Sequence, residues 1–407
     1  MSIRLLSLSA VYQGYLNDFY LANPGLSDLS YNEHYAKLLD ESTEFVSSYT
    51  KAYLKLNLEA SCIFTNDLLL QKKWRNENFL KKKSLSEVVL EQTKKYQPEV
   101  LIVESLPFID IDWIKRVKRE VKSIKLIFAF HCAPYSSKLI EVFKNIDFVI
   151  TCTPGMKLEF DRIGIKSYLV YHGFDQSILN QIDQNTQKSN DFIFSGSLFP
   201  GNGYHKDRID LIDTLLNDHI DIKLFANLES CYKIKAKQSI FRFNQFLSFM
   251  GAKNAHKVIP FLEYAKNPVY SYSKSINRSS VKPVYGIEMY RLFNDSKIVL
   301  NNHGDVAGEY AGNMRLFEVT GVGSCLLTDN KKNISDLFEP DSEVVVYSSP
   351  QECADKVKWL LNHEESMLSI ARAGHKRTML NHTVEKRSIQ IIEIIKNELQ
   401  LKSKSNQ

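Results

Sequence analysis

The chain has 407 residues, 44% hydrophobic and 24% charged, which is long enough for two packed domains and too apolar for a disordered polymer. A formal net charge of only +5 does not suit a nucleic-acid binder, and no apolar run approaches the length of a membrane span. The first residues, Met1-Ser2-Ile3-Arg4-Leu5-Leu6, lack a long apolar signal segment, so the expected location is cytoplasmic. Six cysteines without a CxxC pair read as free thiols in a reducing compartment.

In chain order, residues 5–8 form the first expected strand, followed by a turn-like Gln13-Gly14 and a helix over 31–53. The densest basic stretch, Gln71-Lys72-Lys73-Trp74-Arg75 with Lys81-Lys82-Lys83 after it, reads as a solvated face, or else as a weak contact with an anionic membrane surface. Strands are expected at 100–103, 126–130, 148–150 and 168–171, and a helix at 110–121 that Asp110 or Asp112 could cap. A polar stretch, 180–190, reads as a linker. The alternation then restarts, with a strand at 192–194, a helix at 209–216 and a strand at 222–225. The region 231–283 is less regular, with a loop at its polar end, 271–280. A helix at 287–293, a strand at 298–300, a helix at 314–319 and strands at 325–327 and 344–346 follow. The chain ends in helices whose apolar stripe is Ile391, Ile392, Ile395 and Leu399.

Continuous apolar strands alternating with helices imply parallel sheets covered on both faces. The expected fold class is therefore α/β, with two Rossmann-like domains at 1–178 and 191–383, a linker at 179–190, and a final helix and tail at 384–407. A cleft between the strand carboxyl ends of the two domains is where such folds bind ligands.

The most informative segment runs from Asn301-Asn302-His303-Gly304-Asp305 to Gly321-Val322-Gly323-Ser324. A strand ends at Leu300, a loop holds Gly304, Gly308 and Gly312, and a helix starts near Asn313 and Met314. Glycines admit a close ligand, and a helix N-terminus suits a diphosphate. Arg315, in the first helical turn, opposes the helix dipole, which points to phosphate pairing and predicts that Arg315→Ala leaves the empty protein no less stable. Glu318 shares its face and either pairs with Arg315 or accepts ribose hydroxyls.

A second strand–loop, Ser195-Gly196-Ser197 with Gly201, Gly203, His205 and Arg208, repeats the device. Arg208 either reaches a diphosphate or pairs with Asp207 or Asp210. His131 directly follows a strand, as a general base, a sugar ligand or a structural histidine. His172 is placed similarly, with Gly173 and Asp175 shaping a turn. Gln13, Gly14 and Tyr15 follow the first strand as a loop in which Gly14 permits a close approach and Tyr15 can stack on a sugar ring. Glu104 and Asp110 do not single out a base. No His/Cys cluster has zinc spacing in the sequence, neither GxSxG nor GxxxxGK[ST] occurs, and the Asp110–Asp112 "DID" is better explained as a helix cap, so no metal site is expected.

The segment "MRLFEVTGVGSCLLTDN" resembles the donor-site helix and following strand of GT-B glycosyltransferases, and in particular the CgeB-like (spore maturation protein) group. "GIEMYRLFNDSKIVLNNHGD", "NISDLF", "VVVYSSPQECADKVKWLLNHEE" and "AGHKRTMLNHTVEKR" extend the resemblance in order. The resemblance implies GT-B architecture with the C-terminal helix crossing back to the first domain. It also implies an N-terminal acceptor domain, a C-terminal nucleotide-sugar donor domain, and no cofactor or divalent ion. Gly196, Ser197, Arg208, His303, Gly304, Gly312, Asn313, Met314, Arg315 and Glu318 would bind the donor, with Glu318 on the ribose. His131 would be catalytic, Gln13, Gly14 and Tyr15 would form an acceptor or phosphate loop, and the acceptor would be a glycan, lipid-linked or protein molecule in cell-surface polysaccharide assembly, not a nucleic acid. A Glu-x7-Glu pattern would put its first Glu at position 310. This chain has Tyr310 there with Glu309 beside it, which leaves a retaining mechanism open. The alternatives are a nucleotide-sugar epimerase of similar fold and a non-catalytic sugar-nucleotide-binding subunit.

Overall fold

Strands with apolar side chains on both faces need cover on both sides, and the chain supplies it twice. The computed structural model describes residues 3–104, 106–184, 187–200, 205–252, 268–304 and 308–405; the expectations at Gly201, Gly203 and Asp305 lie outside these residues. The chain divides into two compact units. The first holds Met1–Asp183, Tyr285–Tyr290 and Thr378–Gln407, and the second holds Gln184–Val284 and Arg291–Arg377.

The first unit contains β1 (Arg4–Ser9), β2 (Glu59–Phe64), β3 (Val100–Val103), β4 (Leu126–Phe130), β5 (Phe148–Thr151) and β6 (Ser167–Leu169), in the order β2-β1-β3-β4-β5-β6. Every pairing is parallel. Alternation along the strands divides the core. Leu6, Leu8, Leu101, Ile127 and Val149 pack with Trp113 and Val117 on one face. Leu5, Ile102, Phe128 and Phe148 pack with Tyr49, Tyr53, Ile391 and Ile395 on the other. The last helix, Val384–Ser405, thus folds back on the first unit and packs against the helix Phe45–Lys55 and β4. Lys166 Nζ reaches Glu398 at 2.6 Å, and Phe174 and Val384 tie the entry of the helix by backbone bonds.

The second unit contains β7 (Asn190–Leu198), β8 (Lys223–Leu228), β9 (Ser280–Val281), β10 (Ser296–Asn301), β11 (Cys325–Asp329) and β12 (Val345–Tyr347), in the order β12-β11-β10-β7-β8-β9, again all parallel. Both units are Rossmann-like. The first follows the flavodoxin-type strand order and the second the dinucleotide-binding order.

Three expected elements differ. The helix over 31–53 is two helices, Tyr31–Glu41 and Phe45–Lys55, because Ser42 and Thr43 are buried at a corner where Ser42 Oγ accepts from the Glu44 amide. The expected loop over 271–280 contains the helix Lys274–Ser279, capped by Ser273 and anchored by the fully buried Ile276. The irregular region before it opens with a 19-residue helix, Cys231–Phe249. Asp110 caps its helix as expected, accepting from Trp113 N at 2.8 Å.

Candidate functional site

In the second unit the strand order reverses between β7 and β10, the place where open α/β sheets bind ligands beyond their carboxyl ends. The two strands part early. Their pairing ends at Phe194–Leu300, whereas β7 stays paired with β8 through Leu198–Leu228. Past that point two arginines take the β7 carbonyls. Arg315 Nη2 donates to Ser195 O at 3.1 Å, and Arg208 Nη1 donates to Ser197 O at 3.0 Å. Arg208 Nη2 also donates to Asn302 O at 2.5 Å, so one guanidinium spans the two strand ends. Of the surface partners considered for Arg208, Asp210 is held by Lys206 instead. Gly196 lies between the two carbonyls, where a Cβ would stand 3.0 Å from the Phe194 ring.

Arg315 Nη1 donates to Glu318 Oε2 at 2.6 Å, and the guanidinium lies 4.6 Å from the Phe293 ring centroid. Arg315 opens the helix Arg315–Gly321, and Glu318 is 5% exposed. The dipole conflict read from the sequence is therefore compensated inside the chain by a carboxylate, a carbonyl and a ring. These contacts argue against the expectation that Arg315→Ala costs nothing in the empty protein.

The loop before this helix is pinned by amides. Asn301 and Asn313 exchange side-chain hydrogen bonds at 3.2 and 2.7 Å. Asn333 holds both the N–H and the carbonyl of Ala311, beside the buried Gly312. The Met314 carbonyl accepts from Phe317 N and Glu318 N, starting the helix without a side-chain cap. Gly304 has φ +69° and donates its N–H to Asn302 Oδ1, a left-handed turn that favours glycine. His303 is buried with Nδ1 2.6 Å from Asp329 Oδ1, while its Nε2 has no hydrogen-bond partner among the described residues. Burial raises the Asp329 carboxyl, but the His303 charge and hydrogen bonds, with Lys331 nearby, hold it below its ordinary range. A carboxylate that holds Nδ1–H leaves Nε2 to a ligand, as an acceptor in the neutral ring and a donor in the imidazolium. Glu309 is exposed and pairs with Lys332 at 2.8 Å.

The first unit has its own reversal, between β1 and β3. There Glu104 follows β3 directly, and burial raises its carboxyl to about 7 against smaller lowering by Ser9 and the Ala10 backbone. Glu104 also lines a cavity of about 20 Å³ with Tyr49, Phe128 and Phe130. His131 follows β4, buried against Tyr135 and Phe143, with Nε2 lacking a hydrogen-bond partner among the described residues. Burial holds its imidazole below the ordinary range despite a hydrogen bond to the Ala133 backbone. It is therefore neutral at pH 7, as a base must be.

Gln13, Gly14 and Tyr15 are not a loop. They form the first turn of the helix Gln13–Ala22, with Gln13 bonded to Asn17. Gly14 lies under the Tyr285 ring, whose nearest atom is 2.1 Å from where a Cβ would be, and Gly286 lies under the Tyr15 ring at 2.9 Å. This reciprocal packing explains the glycine and buries Tyr15, so it has no face left for a sugar. In the basic stretch, Lys73 and Arg75 donate to carbonyls of their own chain, while Lys72, Lys81 and Lys82 are exposed.

The sequence leaves Asp329 unnoticed, and it offers Glu104 without singling it out as a base. The signal was present: each is a carboxylate at the carboxyl end of an apolar strand, the criterion that selected His131.

Residues 244–393 match a family model described as glycosyl transferase-like. No curated protein is detectably similar to the chain in sequence. Among solved structures, a glycosyltransferase from Rickettsia africae ESF-5 is 12% identical over 98% of this chain and 99% of its own, with a TM-score of 0.52. Sucrose-phosphate synthase from Thermosynechococcus elongatus is 8% identical over 97% and 98%, also at 0.52. The Anabaena protein HepE, solved in complex with UDP and glucose, is 12% identical over 97% and 100%, again at 0.52. At these identities the likeness is one of fold, the two-unit α/β architecture of GT-B glycosyltransferases. Among the described residues no helix is long and apolar enough to cross a membrane.

Proposed function

We propose that the chain is a CgeB-like GT-B glycosyltransferase that moves a sugar, a hexose or a relative, from a nucleotide-sugar donor to a glycan, lipid-linked or protein acceptor in cell-surface polysaccharide assembly. The observation that carries this reading is the convergence of Arg208, Arg315 and Glu318 where β7 and β10 part, with Arg315 and Glu318 inside the glycosyl transferase-like segment.

In this mechanism the two guanidiniums and the amides around Asn313 and Met314 bind the diphosphate. They stabilise the charge that develops on it as the glycosidic bond breaks, so no divalent ion is needed there. Glu318 accepts ribose hydroxyls. His303, oriented by Asp329, offers Nε2 to the donor sugar. His131 and Glu104 of the first unit are the candidate bases for the acceptor hydroxyl, His131 because it is neutral at pH 7 and Glu104 because its carboxyl titrates near pH 7. The exposed Lys72, Lys81 and Lys82 suit a weak contact with an anionic membrane surface at its cytoplasmic side.

The test is calorimetric titration of UDP, the nucleotide held by HepE, into the full chain and its variants. Arg208→Ala and Glu318→Gln each lose charge-assisted contacts worth about 1.5–3 kcal/mol, which is roughly 10- to 150-fold in affinity. If both variants melt as folded proteins yet bind UDP as the parent does, this site is not the donor site. Product analysis with and without acceptor then separates transfer from epimerisation of the donor, and a chain that binds donor but turns over neither is a binding subunit.

A further inference from the structure

Three donor atoms that are scattered in sequence meet in the first unit. Cys132 lies two residues beyond β4, Cys152 one beyond β5 and His172 three beyond β6, and these strands are consecutive neighbours in a parallel sheet. Parallel strands stand about 4.8 Å apart, so residues leaving their carboxyl ends are brought side by side however far apart they lie in the chain. The two Sγ atoms and an imidazole nitrogen of His172 all lie within 4.8 Å of one another, and among the described residues this is the one such group of potential metal ligands.

We infer that Cys132, Cys152 and His172 form a zinc site with three protein ligands and an open fourth position, independent of the donor site.

Two thiolates and an imidazole are the donor set that selects zinc among the common biological divalent ions. Tetrahedral zinc, with Zn–S near 2.3 Å and Zn–N near 2.0 Å, puts its ligand atoms about 3.6–3.8 Å apart, so the triangle needs to close by no more than about 1 Å. His172 Nδ1 is buried and has no hydrogen-bond partner among the described residues, a cost that ligation through Nδ1 would remove. Charge also balances. Arg387 is buried beside the site and donates to the His172 carbonyl at 3.1 Å, which would oppose a bare dication. Zinc with two thiolates and a neutral imidazole carries no net charge, so it can sit next to that guanidinium. Loading follows Zn²⁺ + 2 RSH → Zn(SR)₂ + 2 H⁺, with no oxidant or reductant. Cys132 is only half-buried and provides the entry.

The experiment uses the full chain, expressed with supplemented zinc and purified under reductant. About one zinc per chain is expected by elemental analysis. Native mass spectrometry should show one zinc gained with two protons lost. Cobalt exchanged into the site should give thiolate-to-cobalt charge-transfer absorption and the intense visible bands of tetrahedral coordination. Cys152→Ser and His172→Gln should bring bound zinc down to background, while Cys231→Ser, at an exposed cysteine, should leave it unchanged. Zinc far below one per chain in the parent, equal zinc in Cys152→Ser, or a Cys132–Cys152 disulfide mapped in protein prepared without oxidant would each overturn the site. If a variant fails to fold, the cobalt spectrum of the parent chain decides by itself. None of these readouts involves nucleotide or sugar transfer, so the zinc site and the proposed activity stand or fall separately.

Discussion

The two sheet reversals use one scaffold for opposite electrostatics. At β7/β10 the strand ends carry fixed cations, Arg208 and Arg315, tied to backbone carbonyls and to Glu318. At β1/β3 and the strands beside it stand a carboxyl raised by burial, a neutral histidine and two thiols. Strand order alone does not set this difference, since both ends are open crevices of parallel sheets. It follows from which residue types occupy the first few positions after each strand. In the second unit fixed cations stand at the strand ends, and in the first stand groups that can exchange a proton or bind a metal.

The comparison breaks first at Arg315. Arg315→Ala removes the guanidinium paired with the buried Glu318 carboxylate, and breaking a buried pair costs about 3 kcal/mol or more. Urea denaturation of the empty protein should show that loss. A variant as stable as the parent would mean the guanidinium is held for ligand alone, as the helix dipole first suggested.

Glu104 tests the other end. Its folded pKa of about 7 lies above its ordinary 4.5, so the folded state binds a proton that the unfolded state has released between those pH values. Stability therefore falls as pH rises from about 4.5 to 7 and is level above, by about 3 kcal/mol at most. Glu104→Gln should stabilise the chain at pH 8 and leave it nearly unchanged at pH 4.5. Equal effects at both values would show an ordinary solvated carboxyl.

A smaller effect is expected at Gly14. A methyl group there meets the Tyr285 ring at 2.1 Å, and overpacking of this kind costs about 1–3 kcal/mol. Gly14→Ala should lower the melting temperature without changing affinity for UDP; a change in UDP affinity with stability intact would restore Gln13-Gly14-Tyr15 as a ligand loop. The smallest change is Ser30→Ala, which removes one half of the Ser30–Glu33 capping box and about 1 kcal/mol with it. No effect there would mean that the helix Tyr31–Glu41 is held by packing alone.

Much of the fold was legible because strand and helix periodicity are local. The runs at 100–103, 126–130 and 325–327 are apolar throughout, and buried parallel strands have no polar face to show. The strand β2 is not read from the sequence: it opens with the polar Glu59 and Ser61 about a small Ala60, and only pairing with β1 buries the rest. The capping boxes at Ser30–Glu33 and Ser84–Glu87 are signals the sequence does carry, and they mark the starts of the helices Tyr31–Glu41 and Leu85–Tyr96.

The sequence by itself determined the α/β class, the restart of the pattern near residue 190, and the helix with Arg315 and Glu318 at three-residue spacing, because each depends on neighbours along the chain. Only the tertiary structure decided what those groups meet. Ser195 and Arg315 are 120 positions apart, and Arg208 and Asn302 are 94 apart. Cys132, Cys152 and His172 have no metal-ligand spacing in sequence. They become a cluster because β4, β5 and β6 lie side by side and end together, and a parallel sheet sets the distance between its strand ends by hydrogen-bond geometry rather than by the length of chain that connects them.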